Sequence, residues 1–399
     1  MRLTTEEQDM LAGKHGRSTR KAMEILAALG TIYGAERMVQ VSSVQISGVS
    51  YDNLDEAGLS FLDEMANGGG RAQVLTTLNP AGMDIENWRS LGISEDFALN
   101  QMRVIKAYAR MGVITTCTCT PFLSGNLPHY GEHICWAESS AVAFANSVIG
   151  ARTNREGGPS ALAAAISGRT PEYGFHLVQN RKPTFTFQVE ADLQETSDFG
   201  ALGIVIGKKM ETYATKPVPF ITGIQQATID QLKSFCASLA TYGGAALFHM
   251  QGITPEAALF DLPSESIRIS KGEIDRAAES LNEASSAEID FVSLGCPHLS
   301  INEIGHLADL LAGKKVTKEF WITTSRPIKQ IADQMGFTRL IEESGALIAV
   351  DTCCVVAPIR GRFNALATDS AKACYYASSK NKFKTMFKPF DQVVAEALK

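Results

Sequence analysis

A run of β-forming apolar residues, a turn of small residues and a helical stretch recur in that order along the whole chain. β-type runs are read at Met38–Val41, Ala72–Leu78, Gly112–Thr116, Thr184–Val189, Phe220–Ile224, Ala245–Met250, Ile289–Leu294, Glu319–Thr323 and Ala346–Val350. Helical spacing fills Asp55–Ala66, Ser94–Met111, Ser139–Ile149, Ile229–Tyr242, Lys271–Ser285 and Asn302–Leu311, after a first helix read from Thr4 to Gly30. Ser42–Tyr51 is too rich in Ser and Gly for either regular element. Strands that alternate with helices build α/β layers with largely parallel sheets. With no repeat, low-complexity tract or long linker, residues 1–399 read as one continuous catalytic region of two or three α/β subdomains.

Composition narrows the class of partner. With 37 Lys+Arg against 43 Asp+Glu the net charge is −6, which argues against nucleic acid as the main partner. Apolar runs such as Phe199–Gly207 fall far short of a bilayer span, and no membrane partner is expected. The first ten residues are acidic where a signal peptide would be apolar, so a cytoplasmic location is expected. There the eight cysteines would be thiols or metal ligands rather than disulfides.

The cysteines divide in two. Cys135, Cys236 and Cys374 have helical surroundings and read as small buried hydrophobes. Cys117 and Cys119, then Cys296, then Cys353 and Cys354 each follow a β-type run immediately. Ligands of open α/β sheets bind at the carboxyl ends of strands, so three distant segments deliver thiols to one kind of place. Three thiolates leave one iron of a cubane open as a Lewis acid. Zinc held by Cys and His298, or three unrelated core cysteines, are the competing readings. Cys119 is fixed by the following Thr120-Pro121 turn, and Cys353 lies nearer its strand than Cys354; those two are preferred within their doublets.

Other polar groups gather at similar positions. Glu138, Ser139 and Ser140 open a helix, where Ser139 would also serve as an N-cap. Arg152-Thr153-Asn154-Arg155-Glu156-Gly157-Gly158 sets two cations beside a glycine pair, a pattern suited to carboxylate or phosphate recognition. Gly48-Val49-Ser50 and Asn79-Pro80 lie just past strands. Pro358–Arg362 with Ser370 and Lys372 offers a cationic turn and a helix start, expected to receive phosphate. Neither a P-loop nor a dinucleotide fingerprint is present.

The segments Cys117–Phe122, Trp136–Ala141, Asn146–Pro159, Gly295–His298 and Asp351–Cys353 closely resemble the aconitase X family, and the likeness runs over essentially the whole chain. The resemblance implies an aconitase-like catalytic core without the swivelling domain, and a hydro-lyase. It implies that Cys119, Cys296 and Cys353 hold an iron–sulfur cluster, [4Fe-4S] in form. It further implies that Gly48, Val49, Ser50, Asn79, Pro80, Glu138 and Ser139 line the substrate cleft, with Glu138 and Ser139 catalytic. Arg152, Ser370 and Lys372 are added to the binding set from charge and position. Single-chain bacterial members of the family fuse the swivelling domain and dehydrate cis-3-hydroxy-L-proline. Split, archaeal-type members pair a large subunit of about this length with a small swivelling subunit. They dehydrate (R)-5-phosphomevalonate to trans-anhydromevalonate 5-phosphate in an isoprenoid pathway. The length favours the split form, and so a heterodimer acting on a small phosphorylated hydroxy acid. A cluster-bearing subunit with no catalysis of its own is the alternative of another class. In the wider superfamily a serine of the swivelling domain takes the proton; Ser139 and Ser140 are the candidates within this chain.

Overall fold

The computed structural model describes residues 1–213 and 218–399. Three units follow one another, each built on a parallel sheet. In the first, Ser43–Ile46 lies between Leu75–Leu78 and Cys135–Trp136, and a bridge from Thr77 to Ile114 extends the outer edge. In the second, Phe185–Glu190 has Pro219–Thr222 and then His249–Met250 on one side and Ser266–Ser270 on the other. In the third, Phe291–Leu299 has Glu319–Thr324 and Leu347–Val350 on one side, and Ala365–Thr368 and Lys384–Phe387 on the other. A small antiparallel pair, Met38–Gln40 with Arg169–Pro171, stands apart from these sheets.

The three sheets share one winding. The chain lays strands outward on one side of the first strand, then returns to that strand's other side. That reversal leaves a crevice beyond the carboxyl ends of the strands it separates. Helices cover each sheet; apolar cores gather around Leu26, Val44 and Ile166, around Phe187, Leu202 and Phe235, and around Val292, Leu307 and Phe320, and a further one around Met83 and Phe291 joins the first and third units. In the second unit the helices Thr196–Met210 and Ile229–Tyr242 touch through glycine. A Cβ on Gly207 would come within 2.7 Å of the Gly243 nitrogen. Among the described residues no helix is long and apolar enough to cross a membrane.

Several elements depart from the sequence expectation. Ser43–Ile46 is a strand and the centre of its sheet, buried at every position, because neighbours on both edges satisfy its backbone whatever its composition. The first helix is two, Thr5–Leu11 and Arg17–Ile32, divided where Gly13 and Gly16 take positive φ. Gly112–Thr116 contributes only the bridge at Ile114. Cys135 stands on a strand rather than in helical surroundings, although buried as expected.

Candidate active site

The crevices of the first and third sheets open towards each other. From the first sheet come Ser47–Ser50, Asn79–Pro80 and Glu138; from the third come Cys296, Asp351–Cys353 and Lys372. Gly295 is required where Cys296 leaves its strand. Its φ is 106°, and an added Cβ would lie 2.1 Å from the Thr323 carbonyl oxygen. The pairing with Glu319–Thr324 shifts register between Leu294 and Leu299, so the chain bulges here and turns Cys296 out of the ladder. At the end of Leu347–Val350, Asp351 turns the chain with φ 64°. Its carbonyl accepts from the Ala81 N–H at 2.7 Å and its carboxylate pairs with Arg326, which ties the Asn79–Pro80 turn to the cysteine loop.

Cys119, Cys296 and Cys353 are brought together. The hydrogen bond between Cys296 and Cys353 raises the Cys296 thiol and lowers Cys353 to about 7; the Val355 and Val356 N–H groups also favour the Cys353 thiolate. Burial, followed by the Glu138 and Cys353 charges, pushes Cys119 up to about 12. The His298 N–H donates to Cys119 Sγ at 3.3 Å. Cys117 and Cys354 face elsewhere. Cys117 packs into the first core with Asp351 nearby, and the Cys354 thiol bonds Ser293.

Glu138 and Lys372 join the two units across the cleft. Both are buried, and Lys372 Nζ lies 2.6 Å from Glu138 Oε1 and 2.9 Å from Ser140 Oγ. Burial acts to raise the Glu138 carboxyl, but Lys372 and the Ala141 and Ser140 N–H groups hold it below the ordinary value. Burial likewise acts to lower Lys372, yet Glu138 and the Cys296 and Cys119 charges keep it well above. The pair is therefore ionised at neutral pH. Gln45 links it to the cysteines: its amide group donates to the Thr118 carbonyl at 3.1 Å while its carbonyl accepts from the Glu138 N–H at 3.3 Å.

The remaining expected residues fall unequally around a cleft of about 290 Å3, whose lining includes Asn79, Glu138, Ser139, Arg155, Lys372 and Lys380. Asn79 Oδ1 faces no protein partner although buried, and Pro80 is buried beside it. Gly48 turns with φ 76°. The Val49 side chain belongs to the first core, while its carbonyl accepts from Gln101 Nε2 at 2.9 Å. Ser50 Oγ reaches the Val356 carbonyl at 3.4 Å. Three expectations need correction. Arg152 lies outside this cleft, beside His133 and His176, because its backbone bridges His133 on the far side of the stretch; Arg155 lines it instead. Ser370 caps the helix Ala371–Tyr376, accepting from the Ala373 N–H at 3.1 Å, and lines a separate small gap with Cys296 and Asp369. Arg362, expected near the phosphate, is tied to Glu319 and the Leu91 carbonyl. Gln45 and Lys380 escaped the sequence reading, and of the two cations in the Arg152–Gly158 run that reading prefers Arg152 to Arg155. Arg155 alone had a signal, its place beside the glycine pair.

The donor set fits an iron–sulfur cluster. Three buried sulfurs come from three distant segments; the His298 N–H donates to Cys119, the Val355 and Val356 N–H groups to Cys353, and all three stand beside the Lys372 ammonium. Zinc with His298 fits poorly. Its Nε2 must donate to the Thr352 carbonyl at 2.9 Å, so its Nδ1 accepts from Thr118 Oγ1 at 3.0 Å, and neither nitrogen has a free lone pair. No three His, Cys, Asp or Glu side chains of the described residues are grouped for a single metal ion.

Three doubly wound units, of which the first and third converge on three cysteines and a buried acid–lysine pair, define an aconitase-type catalytic core. Family models for the first, second and third domains of aconitase X match residues 1–179, 183–279 and 289–399. The chain belongs to the aconitase X family. It is 47% identical to the phosphomevalonate dehydratase large subunit of Methanothermobacter thermautotrophicus, over 94% of this chain and 93% of that one. With the protein of the same name from Methanocaldococcus jannaschii it shares 45% over 99% of each. The cis-3-hydroxy-L-proline dehydratase of Pseudomonas aeruginosa is 34% identical over 94% of this chain, which spans 66% of that protein. The crystal structure of Thermococcus kodakaraensis aconitase X in its holo form superposes with a TM-score of 0.92 at 41% identity, covering all of both chains.

Proposed function

We propose that residues 1–399 are the catalytic region of a hydro-lyase large subunit that converts (R)-5-phosphomevalonate to trans-anhydromevalonate 5-phosphate. Cys119, Cys296 and Cys353 would hold a [4Fe-4S] cluster, which when bound supplies a Lewis acid for the substrate's hydroxyl and carboxylate oxygens. The observation that carries the reading is the ionised Glu138–Lys372 pair beside the three thiols. Lys372 offers a fixed cation to an anionic substrate, and Glu138, with Ser139 at its side, accepts and orients the substrate hydroxyl. Glu138 cannot act as the general acid at neutral pH, since Lys372 holds it ionised. Gln45 keeps the acid and the Cys119 loop in register. The reaction removes a proton from the carbon next to the carboxylate and hydroxide from the neighbouring tertiary carbon, releasing water. A small subunit completes the site, in line with the large-subunit names of the relatives. The eight unpaired cysteines suit the reducing cytoplasm.

The test is a substrate comparison with the chain purified anaerobically and joined to its small subunit. Dehydration of 5-phosphomevalonate with negligible action on cis-3-hydroxy-L-proline is expected. The reverse preference overturns the proposal, and a colourless, iron-free but active enzyme overturns the cofactor.

A further inference from the structure

The charged lining of the cleft is Glu138, Arg155, Lys372 and Lys380, so its walls carry two positive charges in excess, in a chain whose net charge is −6. Glu138 and Lys372 neutralise each other at the buried end. Arg155 and Lys380 are left over. Arg155 is exposed and makes no ion pair among the described residues; it extends from the non-helical stretch just before the Gly157-Gly158 pair of the first unit. Lys380 is half-buried on the third unit, where its ammonium donates to the Val355 carbonyl at 3.1 Å and the Val356 carbonyl at 3.4 Å. With three N–H groups, it retains one for a ligand. The cleft therefore runs from a neutralised floor beside the cysteines to a rim with two cations from opposite domains. Such a rim suits a dianion at the far end of a substrate whose carboxylate and hydroxyl lie deep. The zwitterionic ring of hydroxyproline brings no second anionic group to place there.

We propose that Arg155 and Lys380 form the clamp for the substrate's phosphate, and so select a phosphorylated hydroxy acid over an amino acid. The inference rests on the functional reading above, and deepens it by naming specificity residues. Arg155 suits a bidentate contact with two phosphate oxygens, and Lys380 adds a point charge. Because Lys380 also braces the Cys353–Ala357 loop, phosphate bound there would steady a cysteine loop as well as the substrate.

Two measurements separate the clamp from the reading it rests on. Inorganic phosphate, titrated calorimetrically into the cluster-loaded chain, is expected to bind wild type and to bind Arg155→Gln and Lys380→Gln at least about tenfold more weakly. Equal binding by both variants, or none by wild type, overturns the clamp whatever the natural substrate is. In the complex with the small subunit, each variant is expected to raise KM for 5-phosphomevalonate about 10- to 100-fold, with kcat changed less than about threefold. The visible spectrum of the cluster should be unchanged. Arg268→Gln, at an exposed cation on the edge strand of the second unit, should behave as wild type. Unchanged KM in Arg155→Gln, or loss only of affinity for the small subunit, overturns the assignment. A wild-type complex that turns over only cis-3-hydroxy-L-proline defeats the functional reading, and the phosphate titration still decides the clamp.

Discussion

Two residue pairs at the centre of the cleft carry opposite kinds of risk. Cys296 and Cys353 share a hydrogen bond that draws one thiol towards its thiolate near pH 7, so together they offer sulfur already poised to bind iron. Replacing Cys296 with Ala is expected to remove most of the iron and abolish turnover. Cys236→Ala, in a helix of the second unit, should keep both. Iron analysis with the visible spectrum decides it, and full iron in Cys296→Ala would defeat the ligand assignment. Glu138 and Lys372 present the other risk, since each is buried and Lys372 is the one cation paired with the Glu138 carboxylate. Lys372→Met leaves a buried carboxylate without its cation and should cost about 3–5 kcal/mol of stability. Adding Glu138→Gln should restore much of that loss while leaving activity absent. A double variant no more stable than Lys372→Met would show that the pair is not the source of the cost.

At the level of elements, local charge and capping act where burial does not. The helix Lys271–Glu279 starts with a capping box in which the Ser270 N–H donates to Glu273 at 2.9 Å, and Lys209 lies 2.9 Å from the same carboxylate. These donors, led by the Ser270 N–H, lower the Glu273 carboxyl to about 2. A depressed carboxyl contributes stability above its unfolded value, near 4.5, and loses it as the pH falls from there through about 2. Glu273→Gln should therefore weaken this helix by about 0.5–1 kcal/mol at pH 7. The difference should shrink below pH 4.5 and vanish near pH 2. Hydrogen exchange of the helix amides measures it, and a gap that persists at pH 2 would show that the carboxylate charge is not its source. The long amphipathic helices and apolar strands were legible in sequence because their own residues dictate them. Ser43–Ile46 was not, because a central strand is stabilised by the backbones on either side, and those pairings are long-range. The site divides the same way. Cysteines after strands announce themselves by position, and Lys372 by its charge near a helix start. Gln45 looks like any loop glutamine until the Cys119 loop and Glu138 are folded against it. Arg152 and Arg155 are equivalent in a motif and separate only when the backbone between them takes its course.

Taken as a whole, the molecule presents reactive ends of two sheets to an open cleft and supplies little with which to take a proton. The acid at the centre, Glu138, is held ionised and engaged by Lys372. Ser140 is buried, donating to Glu138 at 3.2 Å and accepting from Lys372. Ser139 sits half-buried with its hydroxyl 3.5 Å from the same carboxylate, which Lys372 already engages. Cys353, the one thiol of the site drawn near neutrality, stands among the cysteines proposed to hold the cluster. A base must approach the substrate carbon within hydrogen-bond reach. It is expected to come from outside this chain, over the rim where Arg155 and Tyr376 line the cleft and Tyr375 is exposed. The cluster-loaded chain alone is expected to show its full visible spectrum with turnover at least about 100-fold below that of the complex, the scale of a missing general base. Adding the small subunit should restore activity in proportion to complex formed, with the cluster spectrum largely unaltered. Turnover by the partner-free chain at the rate of the complex would place the base within it, and Ser139→Ala and Ser140→Ala would then show which hydroxyl acts.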